Sequence, residues 1–447
     1  MSRIRLVGAA SIVFVVASCS NYPEESALAP SSQAAQSSST SASRASEAAP
    51  SAYSLPSTAD VEEVVRQTLA HHPSLKSLRA QAEALDEASR QARFLPDPSA
   101  AIGAGRMAET AAGRVNGTIG VQQKIPFPGK RSAQAAILQH QAEAIRAQLK
   151  SEELILSEQV RRAWWSYYLA TETSGILAEN RELLSSLQTT IEAKIATNKA
   201  TQQDYLKAEN EVTKITQRLA SSRGQADSAR ASLNALLYRP HQSSLPRPSV
   251  PAFRSFGPAS SLISVASSRH PEVLVAQAKI EAAQSLVSLA KLNDRPDFTA
   301  GASWTPVSDD GLAPSANGQD QFMATIGVTL PLWGEKNKAG RRQAASTLAA
   351  SQENLATTLS LIQQRIGSAH ASFTSEREAQ ALYPARLIPD AKQAFELTLT
   401  SYQAGNATFL EVIDSWRQLL SYELQAIESR TRLGQAEAAL MKAAGIR

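Results

Sequence analysis

Residues 118–130 read TIGVQQKIPFPGK, and residues 325–336 repeat the start of this pattern as TIGVTLPLWGEK, 207 positions further along. The same offset carries Ala200-Thr201 onto Ala407-Thr408. Two His-Pro pairs open helical patterns upstream of these copies, one in each half of the chain. Self-similarity on this scale indicates an internal duplication. The sequence therefore predicts a unit of helix, hairpin and long helix that occurs twice.

The strand candidates alternate apolar residues with small or polar ones. In the second half, one face of the strand carries Phe322, Ala324, Ile326, Val328 and Leu330. Weaker versions of this pattern occupy residues 99–107 and 118–125, and residues 298–304 form the partner of the clearest strand. Strands of about ten residues with one apolar face are typical of a transmembrane barrel, so we expect the five residues to face lipid. The alternative is two amphipathic flaps packed on a soluble helical body.

Four strands cannot close a barrel, and an open sheet edge does not survive within lipid. The simplest solution is that several chains each contribute four strands. Three chains would give twelve strands, but spacing alone does not fix the number of chains.

Long helical patterns fill most of the remaining chain. They run over about 129–193, 204–237, 337–382 and 390–444. A helix of about 65 residues is about 100 Å long, several times the diameter of a small domain. Helices of this length usually reach across a space, and their frequent alanines allow close packing.

The N-terminus resembles that of a bacterial lipoprotein. Residues 1–18 carry two arginines and then an apolar stretch of about a dozen residues, which is too short to span a bilayer. Val16-Ala17-Ser18-Cys19 resembles a lipobox, which makes Cys19 the expected site of lipid (palmitate) attachment after signal-peptide removal. Ser20 stands at the position where an Asp would retain such a protein in the inner membrane, so we expect sorting to the outer membrane. The alternative is an ordinary signal peptide with an incidental cysteine.

Composition excludes several classes of function. Residues 19–58 are rich in Ser, Ala and Pro and read as a lipidated flexible tether. The net charge of +4 and the absence of a basic run argue against nucleic-acid binding. The six histidines show no HExxH arrangement, and the one cysteine with four methionines offers no soft metal cluster. We therefore predict no enzyme activity, no cofactor and no resident metal site.

Residues 401–414, SYQAGNATFLEVID, resemble the Y-x-x-G-x-x-x-x-x-[DE]-V-x-[DE] signature of the TolC-like outer-membrane efflux proteins. The first-half counterpart has Asn198 in place of the glycine, and Asn also tolerates a left-handed turn. The resemblance covers about residues 59–447, which divide into a first efflux repeat, 59–250, and a second, 251–447.

This resemblance implies a mainly α fold with a membrane β-barrel. Long antiparallel helices would form a periplasmic α-barrel, and four strands per chain would build a trimeric twelve-stranded barrel in the outer membrane. The implied partners are a periplasmic membrane-fusion adaptor, an inner-membrane RND-type pump and outer-membrane lipid. PFPGK and PLWGEKNKAG resemble members that serve heavy-metal pumps, so we expect a passive duct for heavy-metal cations. The alternatives are a duct for drugs or other small molecules, and a non-conducting structural lipoprotein that spans the periplasm.

The family motif also suggests functional residues at the far end of the long helices. Six turn residues should form the periplasmic tips that contact the adaptor: Thr197, Asn198, Lys199, Ala404, Gly405 and Asn406. Glu411 and Asp414 lie on one helical face and, with Asp204, are expected to form carboxylate rings at a cation-attracting aperture. The alternative for these carboxylates is an ordinary solvated helix face.

We expect Cys19→Ala to abolish lipid labelling, because the mutant lacks the only thiol that can be acylated. Metabolic labelling with a fatty acid measures this directly, and Ser18→Ala, which leaves the cysteine in place, is the control. Equal labelling of wild type and Cys19→Ala would refute the assignment.

Overall fold

The computed structural model describes residue 55 and residues 60–447, apart from 106–108, 111, 116, 310 and 313–317. The predicted signal peptide, Cys19 and nearly all of the predicted tether lie outside this range. Among the helices that are described, none is both long and apolar enough to cross a membrane.

The described chain repeats one order of elements: two helices, a hairpin, a long helix and a returning helix. The first copy comprises α1 (Val61–His71), α2 (Pro73–Ala92), β1 (Ser99–Ala104), β2 (Glu109–Thr110), β3 (Gly113–Arg114), β4 (Gly117–Ile125), α3 (Lys130–Ala196) and α4 (Gln202–Leu236). The second comprises α5 (Ala259–Arg269), α6 (Pro271–Leu292), β5 (Asp297–Thr305), β6 (Gln321–Thr329), α7 (Gly334–Leu382), a π-helical turn (Tyr383–Leu387), α8 (Ile388–Ala404) and α9 (Phe409–Ala444). The short β2–β3 hairpin lies between β1 and β4, in a segment for which the sequence predicted no strand.

Both His-Pro pairs begin helices in the same way. The imidazole Nδ1 of His72 accepts a hydrogen bond from the Ser74 amide at 3.3 Å, and Nδ1 of His270 accepts one from the Glu272 amide at 3.2 Å. Proline at the first helical position needs no donor there. Burial lowers the pKa of both histidines, which favours the neutral imidazole that can accept. These histidines are therefore helix caps.

The helices that leave the sheet are the longest elements. α3 has 67 residues and spans about 100 Å at 1.5 Å per residue. Its counterpart is α7 continued into α8 through the π-helical turn, which contains Pro384. A π-helical turn accommodates a residue that breaks the regular hydrogen-bond ladder. The helical run predicted over 390–444 is interrupted where the tip turn was expected, between Ala404 and Phe409.

One antiparallel sheet combines strands from both copies, in the order β1-β4-β5-β6. The central β4–β5 pairing joins the first copy to the second, with Ile119 opposite Trp304 and Ile125 opposite Phe298. β1 and β6 are the edge strands. The helices below pack in the matching order α2-α3-α6-α7, because each is continuous in sequence with one of these strands.

The pairing register sorts the side chains by polarity. Phe322, Ala324, Ile326 and Val328 lie opposite Trp304, Ala302, Ala300 and Phe298, so eight apolar residues share one face. The other face carries mostly small or polar residues. On that face the hydroxyls of Thr118 and Thr305 form a hydrogen bond of 3.0 Å. The prediction that Leu330 belongs to this strand is wrong: β6 ends at Thr329, and Leu330 follows it.

Buried aromatic residues pack between the helices of the body, in separate clusters along its length. Trp164 on α3 and Trp416 on α9 are fully buried. Trp165 stacks on Phe253 with ring centroids 5.7 Å apart, and its indole lies against Gly434 of α9. A Cβ at Gly434 would lie 1.9 Å from Trp165, so only glycine allows this approach.

We expect Ile326→Arg to reduce assembly in the outer membrane, because Ile326 is 83% exposed on the apolar face. Arginine there should cost about 2–4 kcal/mol if this face meets the bilayer midplane. Thr325→Arg, one residue away on the opposite face, is the matched control and should cost far less. The measurement is the amount of protein in the outer-membrane fraction. Equal losses in the two variants would show that the assigned face is wrong.

Candidate functional site

The two turns at the end of the long helices have the same backbone geometry. Asn198 follows α3 with a φ of 55°, and Gly405 follows α8 with a φ of 86°. The next amide closes each turn: Lys199 N donates to Lys194 O, and Asn406 N donates to Ser401 O, both at 2.8 Å. These are Schellman-type helix ends, in which a left-handed residue lets the chain reverse. The predicted equivalence of Asn198 and Gly405 is thereby confirmed.

The helices that return from these turns begin with the same type of cap. Thr201 and Asp204 form a capping box at α4, and Thr408 and Glu411 form one at α9. The Glu411 carboxylate accepts from the Thr408 amide at 2.8 Å, and the Asp204 carboxylate accepts from the Thr201 amide at 3.1 Å. Two of the three carboxylates predicted at the aperture therefore satisfy helix-end amides.

The two turns pack against each other. Lys194 donates from Nζ to the Tyr402 carbonyl at 2.6 Å, and the same ammonium lies 4.0 Å from the centre of the Tyr402 ring. Tyr402 in turn packs on Phe409, with ring centroids 5.9 Å apart. This contact joins the C-terminus of α3 to the turn between α8 and α9. The tips of the two copies thus form one unit.

An ion-pair network behind the tips connects α4 with α9. Arg417 donates to Glu211 at 2.7 Å and to Asp414 at 3.1 Å, while Lys214 donates to Glu211 at 2.8 Å. Burial alone would raise the pKa of Glu211, but the hydrogen bonds from Arg417 and Lys214 outweigh it and lower that pKa. Glu211 therefore stays charged below the pH at which a free glutamate protonates.

The six tip residues predicted from the sequence are all exposed: Thr197, Asn198, Lys199, Ala404, Gly405 and Asn406. Glu411 and Asp414 are exposed on one side of α9, and Asp204 is half-buried at the start of α4. Within one chain these carboxylates do not form a ring, which would require other copies.

Sequence reasoning missed Glu211 and Arg417. Arg417 is detectable in principle, because it follows Asp414 at i, i+3 spacing. Glu211 lies 206 residues from Arg417, and one sequence gives no sign that they meet.

Comparison with known proteins places this geometry in context. Residues 262–446 match the family described as "Outer membrane efflux protein". The chain is 25% identical over 355 residues to the cobalt-zinc-cadmium resistance protein CzcC of Cupriavidus metallidurans, an alignment that covers 78% of this chain and 82% of CzcC.

A second relative matches over a shorter region. The pyoverdine export outer membrane protein OpmQ of Pseudomonas putida is 30% identical over 188 residues, which is 40% of this chain and 37% of OpmQ. Among solved structures, the outer membrane protein VceC from Vibrio cholerae superposes with a TM-score of 0.71 at 19% identity, over 86% of this chain and 96% of VceC. This superposition shows a shared fold.

We expect Gly405→Val to loosen the tip, because a β-branched residue resists a φ of 86°. A Cβ at this position would meet nothing within 4 Å, so the effect would come from the backbone conformation and not from a steric clash. The cost of the left-handed conformation is roughly 1–2 kcal/mol. Amide hydrogen exchange should quicken in peptides that span residues 395–410 and stay unchanged in the sheet. Gly405→Asn is the matched control, since Asn198 already adopts this conformation in the other turn. Equal exchange in the Val and Asn variants would contradict the role of the backbone.

Proposed function

Because residues 262–446 match the outer membrane efflux protein family and the fold matches that of solved outer-membrane channels, we propose that this chain is the outer-membrane duct of a tripartite pump that exports heavy-metal cations. Members of this family are efflux channels, not enzymes. The resemblance to TolC-like channels implies a trimer that works with an adaptor and an inner-membrane pump. The specific adaptor, the RND-type pump and the cation substrate are part of our proposal.

The observation that carries the proposal is the continuity of one sheet with helices of about 100 Å. The sheet has an apolar face, and its edge strands are free to pair with other copies. A strand in lipid must have its backbone groups satisfied by neighbours. Three copies would close twelve strands, and the helices below would continue the wall across the periplasm. A chain built only as a tether has no need of such a sheet.

The substrate assignment is supported by the match to CzcC, a cobalt-zinc-cadmium resistance protein. The second candidate is export of another small molecule, which the partial match to the pyoverdine exporter OpmQ favours. The match to CzcC covers about twice as much of this chain, so we prefer heavy-metal cations.

The tips are our proposed contact with the adaptor. Their turns are exposed and follow the last buried residues of α3 and α8, and the Lys194–Tyr402 contact holds the two turns together. The duplicated turns would offer each adaptor a pair of similar surfaces. We further propose that Cys19 anchors the chain to the outer membrane and that the repeats divide near residue 250.

The aperture is proposed to lie just behind these turns. Asp414 is exposed, and Glu411 uses only one carboxylate oxygen in its capping box, so both keep acceptor capacity. Three-fold symmetry would gather them, with Asp204, into rings that attract cations. Arg417 links Asp414 to the buried Glu211. This link would keep the Asp414 side chains in the ring although the carboxylates of the three copies repel one another.

Conductance of the purified protein in a planar bilayer tests the proposed function. We expect ion-conducting channels whose cation-to-anion permeability ratio falls by about half or more in the double variant Glu411→Gln, Asp414→Asn. Glutamine preserves the capping box, so the fold of the tip should be retained. The control is Glu353→Gln, an exposed carboxylate on α7.

Two outcomes would count against this account. A protein that inserts without conducting would remove the duct. Unchanged selectivity in the double variant would leave the duct in place and return Glu411 and Asp414 to an ordinary solvated helix face.

A further inference from the structure

Three potential metal ligands meet on the body of the long helices, in a place that the proposed duct does not use. His140 and Glu143 lie on α3, and Glu281 lies on the neighbouring α6. His140 Nδ1 is 3.0 Å from Glu143 Oε2 and 3.2 Å from Glu281 Oε2, and the three ligand atoms lie within 4.8 Å of one another. Two of the ligands belong to the first copy and one belongs to the second.

We propose that His140, Glu143 and Glu281 bind a divalent transition-metal ion of the Zn²⁺ class and thereby tie the two copies together. The spacing of the ligands carries the argument. A tetrahedral ion with bonds of about 2.0–2.1 Å keeps its ligand atoms about 3.3 Å apart. The two distances from His140 are already close to that value. The two carboxylate oxygens lie within 4.8 Å of each other, so they need to approach by at most about 1.5 Å to reach this geometry.

A proton alone satisfies this group poorly. If Nδ1 carries hydrogen, that single N–H faces two carboxylate oxygens and can aim at only one of them well. A cation in its place interacts with all three ligands at once and neutralises both carboxylates. His140 and Glu143 are half-buried, which limits the competition from water, while Glu281 is exposed and leaves a path for the ion to enter.

The ligand types restrict which metals fit. One imidazole nitrogen and two carboxylate oxygens suit Zn²⁺ and Co²⁺. Cu⁺ and Ag⁺ prefer sulfur, and Mg²⁺ prefers oxygen ligands only. Three protein ligands leave the fourth position of a tetrahedral ion to water.

The site is separate from the proposed aperture. His140 lies 56 residues before the end of α3, which is about 85 Å along the helix. The sequence predicted no metal site, because His140 and Glu143 form only an i, i+3 pair and Glu281 lies 141 residues further on. Metal binding at this position would therefore not depend on transport through the duct.

Titration with Co²⁺ tests the site in the full-length protein, purified in detergent without a histidine tag and freed of metal by a chelator. We expect one Co²⁺ per chain, detected by visible absorption of a low-symmetry Co²⁺ centre, and displacement by Zn²⁺ but not by Ag⁺. His140→Ala should abolish this absorption. Glu281→Gln, which changes an exposed side chain and should fold normally, should weaken binding at least about tenfold.

His370→Ala is the matched control. His370 is another helical histidine, and its ring contacts the Gly257 carbonyl at 3.2 Å. This variant should bind Co²⁺ as the wild type does. Absence of the absorption band in wild type, or equal binding by wild type and Glu281→Gln, would overturn the proposal.

Discussion

The backbone of the four-stranded sheet imposes the constraint on which the rest of the structure depends. β4 and β5 each pair with another strand of the chain on both sides. β1 and β6 are at the edges of the sheet, so each pairs with a strand of the sheet on one side only. In lipid, such an edge must be paired. The pairing of β4 with β5 also fixes the helices, because each strand continues into one of them and the helix order α2-α3-α6-α7 copies the strand order. The strand pairing that lipid requires therefore also determines the order in which the helices pack.

Duplication provides two tips with one geometry, and later divergence gives them different chemistry. Both turns keep a left-handed residue and a capping box, although Asn replaces Gly in one and Asp replaces Glu in the other. The ion-pair network is not duplicated: the positions that correspond to Asp414 and Arg417 hold Lys207 and Asn210. The network therefore draws Asp414 and Arg417 from α9 and Glu211 from α4, and Arg417 and Lys214 hold Glu211 ionised.

The parts of the fold that depend on local patterns could be predicted from the sequence. Alternation in β6 identified its apolar face, and failed only at Leu330, because Pro331 ends the ladder one residue earlier than the pattern suggests. The left-handed turn at Asn198 followed from its equivalence to Gly405. The capping boxes follow the local patterns Thr-x-x-Asp and Thr-x-x-Glu, so the sequence contains them too, although only an aperture role was predicted for Asp204 and Glu411. The contacts of Arg417 with Glu211, and of His140 with Glu281, join residues far apart in sequence and needed the structure.

The most direct test of this account is whether β6 of one chain pairs with β1 of another. Cysteines placed at Ala101 on β1 and Thr325 on β6 can be joined in intact cells by a short bismaleimide, with each single-cysteine variant as a control. The account predicts covalent dimers and trimers of the double variant, no larger products, and none in the single variants. Products confined to a single chain, together with a native mass of one chain in detergent, would contradict it.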